Sequence, residues 1–224
     1  VAFLNTAWYN EQPDGVVYAG KVAYKYKGTM PSNTEITLKE DTVGISQDAF
    51  SYCTNLRSIN IPESVRNIGS YAFSNCGLIS ITISEGVTNI ETSAFSGCTG
   101  LSSISFPDSI TSIGVSAFKD TAWYDNQSDG LIYIGKVVYK YKGTMPSDTS
   151  ITLNEDTVGI AGDAFRSCTG LTNINIPESV TNIGESAFNS CTGLTNIIIP
   201  ESVTTIGAST FSGCRGLTNI IIPR

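Results

Sequence analysis

The residues of this chain that could carry chemistry are six cysteines, a set of glutamates at a constant offset, and two clusters rich in tryptophan, tyrosine and lysine. Histidine is absent, so the Ser/His/Asp and Cys/His systems that activate a nucleophile cannot be built from this chain alone. Cys53, Cys76, Cys98, Cys168, Cys191 and Cys214 invite a disulfide or zinc reading. Their spacing argues otherwise. No pair is separated as C-x-x-C, and no histidine could complete a zinc site, so neither a metal nor any other cofactor is expected. Each cysteine stands three residues after a phenylalanine, in the same phase of a recurring pattern. The six are therefore expected to point alike and to stack as a ladder of free thiols, packing as small hydrophobes. Coils ~4.8 Å apart are close enough for a disulfide, but parallel side chains in register have poor geometry for one.

Glu63, Glu178 and Glu201 follow the proline of that pattern. Paired carboxylates can do acid/base work, as in glycoside hydrolysis, but a fixed place in every copy marks these as a solvated turn edge. The glycines follow Ile or Cys as turn punctuation, without the Gly-x-Gly-x-x-Gly of a phosphate loop. No enzymatic activity is expected.

The third group is the most distinctive. Eight of the ten Tyr, both Trp and six of the eight Lys lie in two segments, about residues 10–33 and 125–148 with their leading Trp-Tyr pairs. Trp8, Tyr18, Lys25 and Lys27, with Trp123, Tyr133, Lys140 and Lys142, are the candidate ligand-binding residues, since exposed aromatic rings anchor protein or sugar partners. A structural reading stands beside this. Tyr9 and Tyr124 occupy a repeat Leu position, and Val22, Tyr24 and Tyr26 alternate with Ala23, Lys25 and Lys27. In a strand this puts the first set on the core and the lysines in water. Trp8 and Trp123 have no counterpart in regular copies and are expected to be exposed.

What positions these groups is a 23-residue repeat, clearest between Phe165 and Phe211. From each Phe, Cys follows at +3, Leu at +6, Ile at +9 and +11, Pro at +12, Val at +15, Ile at +18, Gly at +19 and the next Ala-Phe at +22 and +23. A unit this small buries its apolar face only by stacking on neighbours, which is the sign of a solenoid. Leu-x-x-Ile-x-Ile should form one short parallel strand ended by Pro, and Val-x-x-Ile a second. Ser-Ala-Phe-x-x-Cys should form a single helical turn that inserts Phe and Cys. In the two distinctive segments, Asp-Gly and the Gly-Lys turn signal a β-hairpin in place of a regular coil. Residues 121–165 match residues 6–50 at 33 of 45 positions, at an offset of five repeats. Coil and hairpin order is thus itself repeated.

Composition agrees. Apolar residues make up 41% of the 224 and charged residues 15%, which suits a folded chain rich in polar turns. A net charge of -7 without a basic cluster argues against nucleic acid, and no apolar run reaches the ~20 residues of a membrane span. Ala2-Phe3 aligns with Ala117-Phe118, and the chain stops within a repeat at Ile222-Pro223-Arg224. We read residues 1–224 as one solenoid domain cut from a longer protein.

The motif Leu-x-x-Ile-x-Ile-Pro-x-x-Val-x-x-Ile-Gly-x-x-Ala-Phe-x-x-Cys resembles the BspA-like (Treponema pallidum type) leucine-rich repeat over nearly the whole chain. The resemblance implies a β-rich α/β solenoid, a right-handed superhelix of about nine coils of which two carry a hairpin. It also implies a non-catalytic adhesion or protein-binding module of a bacterial surface or secreted protein. The expected partner is a host or neighbour-cell surface protein, or a glycan if the chain is a carbohydrate-recognition, accessory or spacer module of a polysaccharide-degrading assembly. The segment itself is expected to be monomeric and not inserted in a membrane.

Overall fold

A computed structural model describes residues 2–222. The chain separates into two compact units, residues 1–109 with 116–126 and residues 110–115 with 127–224. Both are β-solenoids of short strands and turns, with helix confined to Ala7–Glu11 and Ala122–Asp125 among the described residues.

Each regular coil has a longer strand from the Leu-x-x-Ile segment. In the first unit Thr34–Thr37 pairs in parallel with Leu56–Asn60, and Ser80–Thr82 with Ser103–Ser105. In the second, Thr149–Thr152 pairs with Leu171–Asn175, and Asn196–Ile198 with Asn219–Ile221. Strict alternation cannot send inward both the Leu and an Ile three residues later. A register shift resolves this: Thr34 faces Leu56 while Glu35 faces Ser58, so Arg57 is the extra residue of a bulge. Thr172 does the same in the second unit. Leu56, Ile59 and Ile61 can then all be buried.

The second arm of each coil is a two-residue strand. Gly44–Ile45, Asn67–Ile68 and Asn89–Ile90 pair in parallel, one coil to the next. Gly159–Ile160, Asn182–Ile183 and Thr205–Ile206 follow suit. The glycine that follows is set by crowding rather than by a turn. A Cβ on Gly69 would lie 2.7 Å from the Gln47 backbone nitrogen and 2.8 Å from the Ile45 carbonyl oxygen, so a side chain at Gly69 would force the local backbone to shift.

The Ala-Phe-x-x-Cys stretch is not the helical turn expected from sequence. It is a chain of tight turns, with Ala49 N–H donating to Ser46 O, Ser51 to Asp48 and Cys53 to Phe50. Left-handed residues punctuate it at Asp48 (φ 57°) and Tyr52 (φ 61°), and at Asp163 and Ser167 in the second unit. The turns aim amide donors at the neighbouring coil. Phe50 N–H donates to Ala72 O (2.7 Å) and Tyr52 N–H to Ser74 O (2.8 Å), and a helix would turn these donors back on its own chain. The phenylalanines enter the core and stack face to face. Phe50–Phe73, Phe73–Phe95 and Phe95–Phe118 lie 5.3, 5.1 and 5.3 Å apart, within 10° of parallel. Phe165–Phe188–Phe211 repeats the stack at 5.3 and 5.6 Å.

Both hairpins form, Gly15–Ala19 against Val22–Lys27 and Gly130–Ile134 against Val137–Lys142. Their second strands join the short-strand sheet, Val22-Ala23 pairing with Gly44-Ile45 and Val137-Val138 with Gly159-Ile160. Beyond them, Tyr26 N–H donates to Ala49 O and Tyr141 N–H to Ala164 O, the bond that the phenylalanine makes in a regular coil. The hairpin strand therefore stands where the second arm of a coil would.

Candidate binding surfaces

The cysteine ladder faces inward. Cys76, Cys98, Cys168 and Cys191 are buried, Cys53 and Cys214 half-buried, and all six are free thiols. Cys76 and Cys98 donate to the carbonyls of Phe50 and Phe73 at 2.9 Å, Cys191 and Cys214 to those of Phe165 and Phe188 at 3.0 Å. Each thiol thus ties its coil to the preceding phenylalanine. Burial pushes Cys53 and Cys168 up to about 11, with Lys25 and Lys140 pulling back slightly. Cys191 rises to about 12 by burial and by the thiols on either side of it. The hydrogen bond Cys76 shares with Cys98, with burial, moves Cys76 up as well. Thiols kept neutral in this way are poor nucleophiles. Glu63, Glu178 and Glu201 stand exposed on the turn after the proline. The serine beside the first two does the fastening, Ser64 Oγ donating to Thr42 O and Ser179 Oγ to Thr157 O at 2.6 Å.

The hairpin lysines do not face water as the alternation predicts. Lys25 Nζ donates to Asp48 O and Lys140 Nζ to Asp163 O, both at 2.6 Å. Lys27 Nζ donates to Asn10 O and Gln12 O, and Lys142 Nζ to Gln127 O at 2.6 Å. A bulge overturned the pattern: Val17 faces Lys25 but Tyr18 faces Ala23, so Tyr24 is an extra residue and both Ala23 and Tyr24 become buried. Tyr139 is the extra residue of the second hairpin. Burial lowers the Lys140 ammonium, and the Asp163 carboxylate offsets part of that. Tyr18 accepts a bond from Lys39 N (3.0 Å) with the Lys39 ammonium 4.3 Å from its ring centroid, and Tyr133 accepts from Asn154 N (3.2 Å). Four of the eight candidates, Tyr18, Lys25, Tyr133 and Lys140, therefore fasten the hairpins to the following coil, while Lys27 and Lys142 tie each hairpin to its own leading segment.

The two tryptophans part company. Trp8 is exposed at 39%, beside Phe3 and Leu4, and borders a cleft of about 610 Å³ lined by Phe3, Thr6, Trp8, Ala19 and Gly20. Trp123, expected to be exposed, is half-buried. Its ring lies 5.2 Å from Phe106 and 5.4 Å from Phe118, and the Trp123 backbone N–H donates to Leu101 O at 2.7 Å. The preceding coil carries Phe where others carry Ile, and that ring covers it. Tyr9 is not at a Leu site of the core. Thr6 caps a short helix by accepting from Tyr9 N, and this diverts Tyr9 into a side cluster with Val17 and Tyr24.

Two further surfaces are built from residues that the sequence reading did not single out, though it allowed one sheet face as a binding surface. One is the outward face of the longer strands, a polar ladder of Ser58, Asn60, Ser80, Thr82, Ser103 and Ser105 over a trough of about 430 Å³. In the second unit the ladder becomes Asn173, Asn175, Asn196 and Asn219, with Asn219 donating to Asn196 Oδ1 (3.0 Å), beside the outward pair Ile198 and Ile221. The other is formed by Tyr52 and Tyr71. Tyr52 is 74% exposed and Tyr71 43%, and both are held at positive φ, 61° and 58°. Corresponding positions in other coils hold Ser, Asp, Asn or Gly, which enter this region at little cost, whereas a bulky residue there is strained. The two lie on adjacent coils, for Tyr52 N–H bonds Ser74, three residues along from Tyr71. A tyrosine in the phase where the repeat otherwise places small polar residues was the signal available in the sequence.

A family model described as BspA type leucine rich repeat region matches residues 22–145 and 132–224, in 6 copies. No curated protein matches the chain. Similar solved structures include the T. pallidum leucine-rich repeat protein TpLRR, at 22% identity over 91% of this chain and 75% of that one, TM-score 0.36. A leucine-rich cell surface protein of Faecalibacterium prausnitzii is 19% identical over 94% and 86%, TM-score 0.35. The pneumococcal vaccine antigen PcpA is 17% identical over 92% and 67%, TM-score 0.41. No helix among the described residues is long and apolar enough to cross a membrane.

Proposed function

Since the chain belongs to the BspA-type leucine-rich repeat family, we propose that it is a non-catalytic protein-binding and adhesion module of a bacterial cell-surface or secreted protein. The observation that carries this reading is the pair Tyr52 and Tyr71. Left-handed backbone at a bulky residue costs ~1–2 kcal/mol, and such strain persists where the side chain has a use. Neither ring is needed for the core: Tyr52 leaves 74% of its surface in water. Rigid, exposed tyrosines are what protein interfaces use as anchors, and a solenoid holds them at a fixed spacing. The partner is a protein on a host or neighbouring cell.

Capture of purified host-matrix and bacterial surface proteins on the immobilised chain tests the reading. We expect at least one partner to be retained, with affinity falling about tenfold or more in Tyr52→Asn, the size of an interface anchor. Capture of nothing, or retention indifferent to both Tyr52→Asn and Tyr71→Asn, removes the proposal. Retention on polysaccharide in affinity electrophoresis, lost with the same substitutions, replaces it by glycan recognition.

A further inference from the structure

Between Tyr52 and Tyr71 along the coils lies a carboxylate that has lost its cation. Asp48 stands four residues before Tyr52 in the same coil, and its N–H donates to Ser70 O, next to Tyr71 on the following coil, at 3.0 Å. Asp48, Tyr52 and Tyr71 are all left-handed, at φ 57°, 61° and 58°, so the three side chains leave the backbone from fixed points on adjacent rungs. The internal repeat supplies a reference for this place. At the five-repeat offset, Asp163, Arg166, Ser167 and Ser186 correspond to Asp48, Ser51, Tyr52 and Tyr71. In the second unit the aspartate is buried and neutralised within its own coil, Arg166 Nη1 lying 3.4 Å from Asp163 Oδ1. In the first, serine replaces the arginine and Asp48 is half-buried. Its carboxylate accepts from the Gln47 amide at 3.2 Å and makes no ion pair among the described residues. Lys25 and Lys140 do not account for the difference, since each ammonium bonds the main-chain carbonyl of its aspartate at 2.6 Å. Glu91 adds a second carboxylate, its Oε2 accepting from the Ser70 N–H and hydroxyl at 2.9 Å. Asp48 and Ser51 belong to one coil, paired with the hairpin on one side and the next coil on the other, so what opens the place is residue type.

We infer that Asp48, Tyr52 and Tyr71 form the seat of an arginine side chain of the partner protein, which supplies from outside the guanidinium that Arg166 supplies from within. The inference rests on the partner-binding reading of the two tyrosines and names the group that the partner presents. A guanidinium suits the place on two counts: its planar donors match a carboxylate, and its flat face packs on a phenol ring as a cation–π contact. A half-buried carboxylate also attracts an incoming charge more strongly than one in open water.

The experiment titrates N-acetyl-arginine amide into the full chain and reads the ring signals of Tyr52 and Tyr71 by NMR, assigned from Tyr52→Phe and Tyr71→Phe. Both rings are expected to shift and to saturate in the millimolar range, while N-acetyl-citrulline amide, which keeps the shape and lacks the charge, gives no saturable shift. In Asp48→Asn the arginine affinity should fall about fivefold, the size of one partly screened ion pair. Asparagine takes the same backbone at Asn75 (φ 55°), so this variant keeps the turn. Ser51→Arg restores the internal pair of the second unit and should block the seat. Circular dichroism establishes that both variants are folded. Used in the capture of a partner, they separate this inference from the reading beneath it. A partner retained through Tyr52 but indifferent to Asp48→Asn and Ser51→Arg overturns the arginine seat and leaves the reading standing. An arginine response that needs Asp48, with no partner captured, removes the reading and upholds the seat. No arginine response, an equal response to citrulline, or one unchanged in both variants overturns the inference.

Discussion

Replacing Phe73 by alanine probes the stack directly. Phe73 is fully buried, with Phe50 5.3 Å away on one side and Phe95 5.1 Å on the other. Truncating a buried phenylalanine costs ~3–5 kcal/mol, the upper end applying where the walls cannot close on the cavity. These walls are held apart by the backbone, since Phe50 N–H bonds Ala72 O and Phe73 N–H bonds Ala94 O, both at 2.7 Å. Two parallel ring contacts, each worth about 0.5–1.5 kcal/mol beyond area burial, vanish as well. We expect destabilisation by about 4–5 kcal/mol in urea denaturation followed by circular dichroism. Phe211→Ala is the control. That ring is half-buried and stacks on Phe188 alone among the described residues, at 5.6 Å, so the cost should be about half as large. Because a solenoid is stabilised by nearest-neighbour contacts, amides of the coils holding Phe50 and Phe95 should lose hydrogen-exchange protection in Phe73→Ala. Those between Phe165 and Phe188 should keep theirs. A cost below about 1.5 kcal/mol, or a cost equal to that of Phe211→Ala, would mean that the stack is not the spine of the coil. Uniform loss of protection would refute the nearest-neighbour reasoning.

The Tyr52→Asn variant should fold with nearly unchanged stability, because relief of left-handed strain, ~1 kcal/mol, offsets the little apolar burial that the ring supplies; a large drop in the urea midpoint would show that the ring supports the fold. Thr42 and Thr157 are both fully buried, but only Thr42 Oγ1 has a partner, donating to Lys39 O at 2.6 Å. Thr157→Val should therefore stabilise by up to about 1 kcal/mol while Thr42→Val destabilises by about as much, measured by thermal melting. The buried thiols ionise in the unfolded chain near the ordinary ~8.5 but in the fold only at about 11 for Cys53 and Cys168 and about 12 for Cys191. Over that interval the unfolded state holds fewer protons, so stability is full below pH ~8.5 and is lost as pH rises towards the folded values. The urea midpoint should fall through this window, less steeply in Cys191→Ala, and an identical slope in that variant would rule out the thiol as a source.

Much of the architecture was legible in the sequence because repetition makes each residue's environment a copy of the last. Phe and Cys in constant phase implied an inward ladder, and 33 matches between residues 6–50 and 121–165 implied two like hairpins. Local patterns proved less reliable wherever a bulge or a neighbouring coil intervened. Period-2 alternation placed Lys25 and Lys27 in water, yet one extra residue at Tyr24 turned them onto backbone carbonyls. Trp123 was expected at the surface, but Phe106 of the coil before it forms a cover. The strain of Tyr52 could not be read from spacing, since the period does not say that its phase is left-handed until the turns that carry Phe50 into the core are seen. The amino-acid sequence by itself determined the period, the residues in the core and the order of coils and hairpins, all of which follow from apolar groups recurring in one phase. The tertiary structure alone decided which lysines and aromatic rings remain free for a partner, because that depends on the carbonyls and rings that adjacent coils bring within reach.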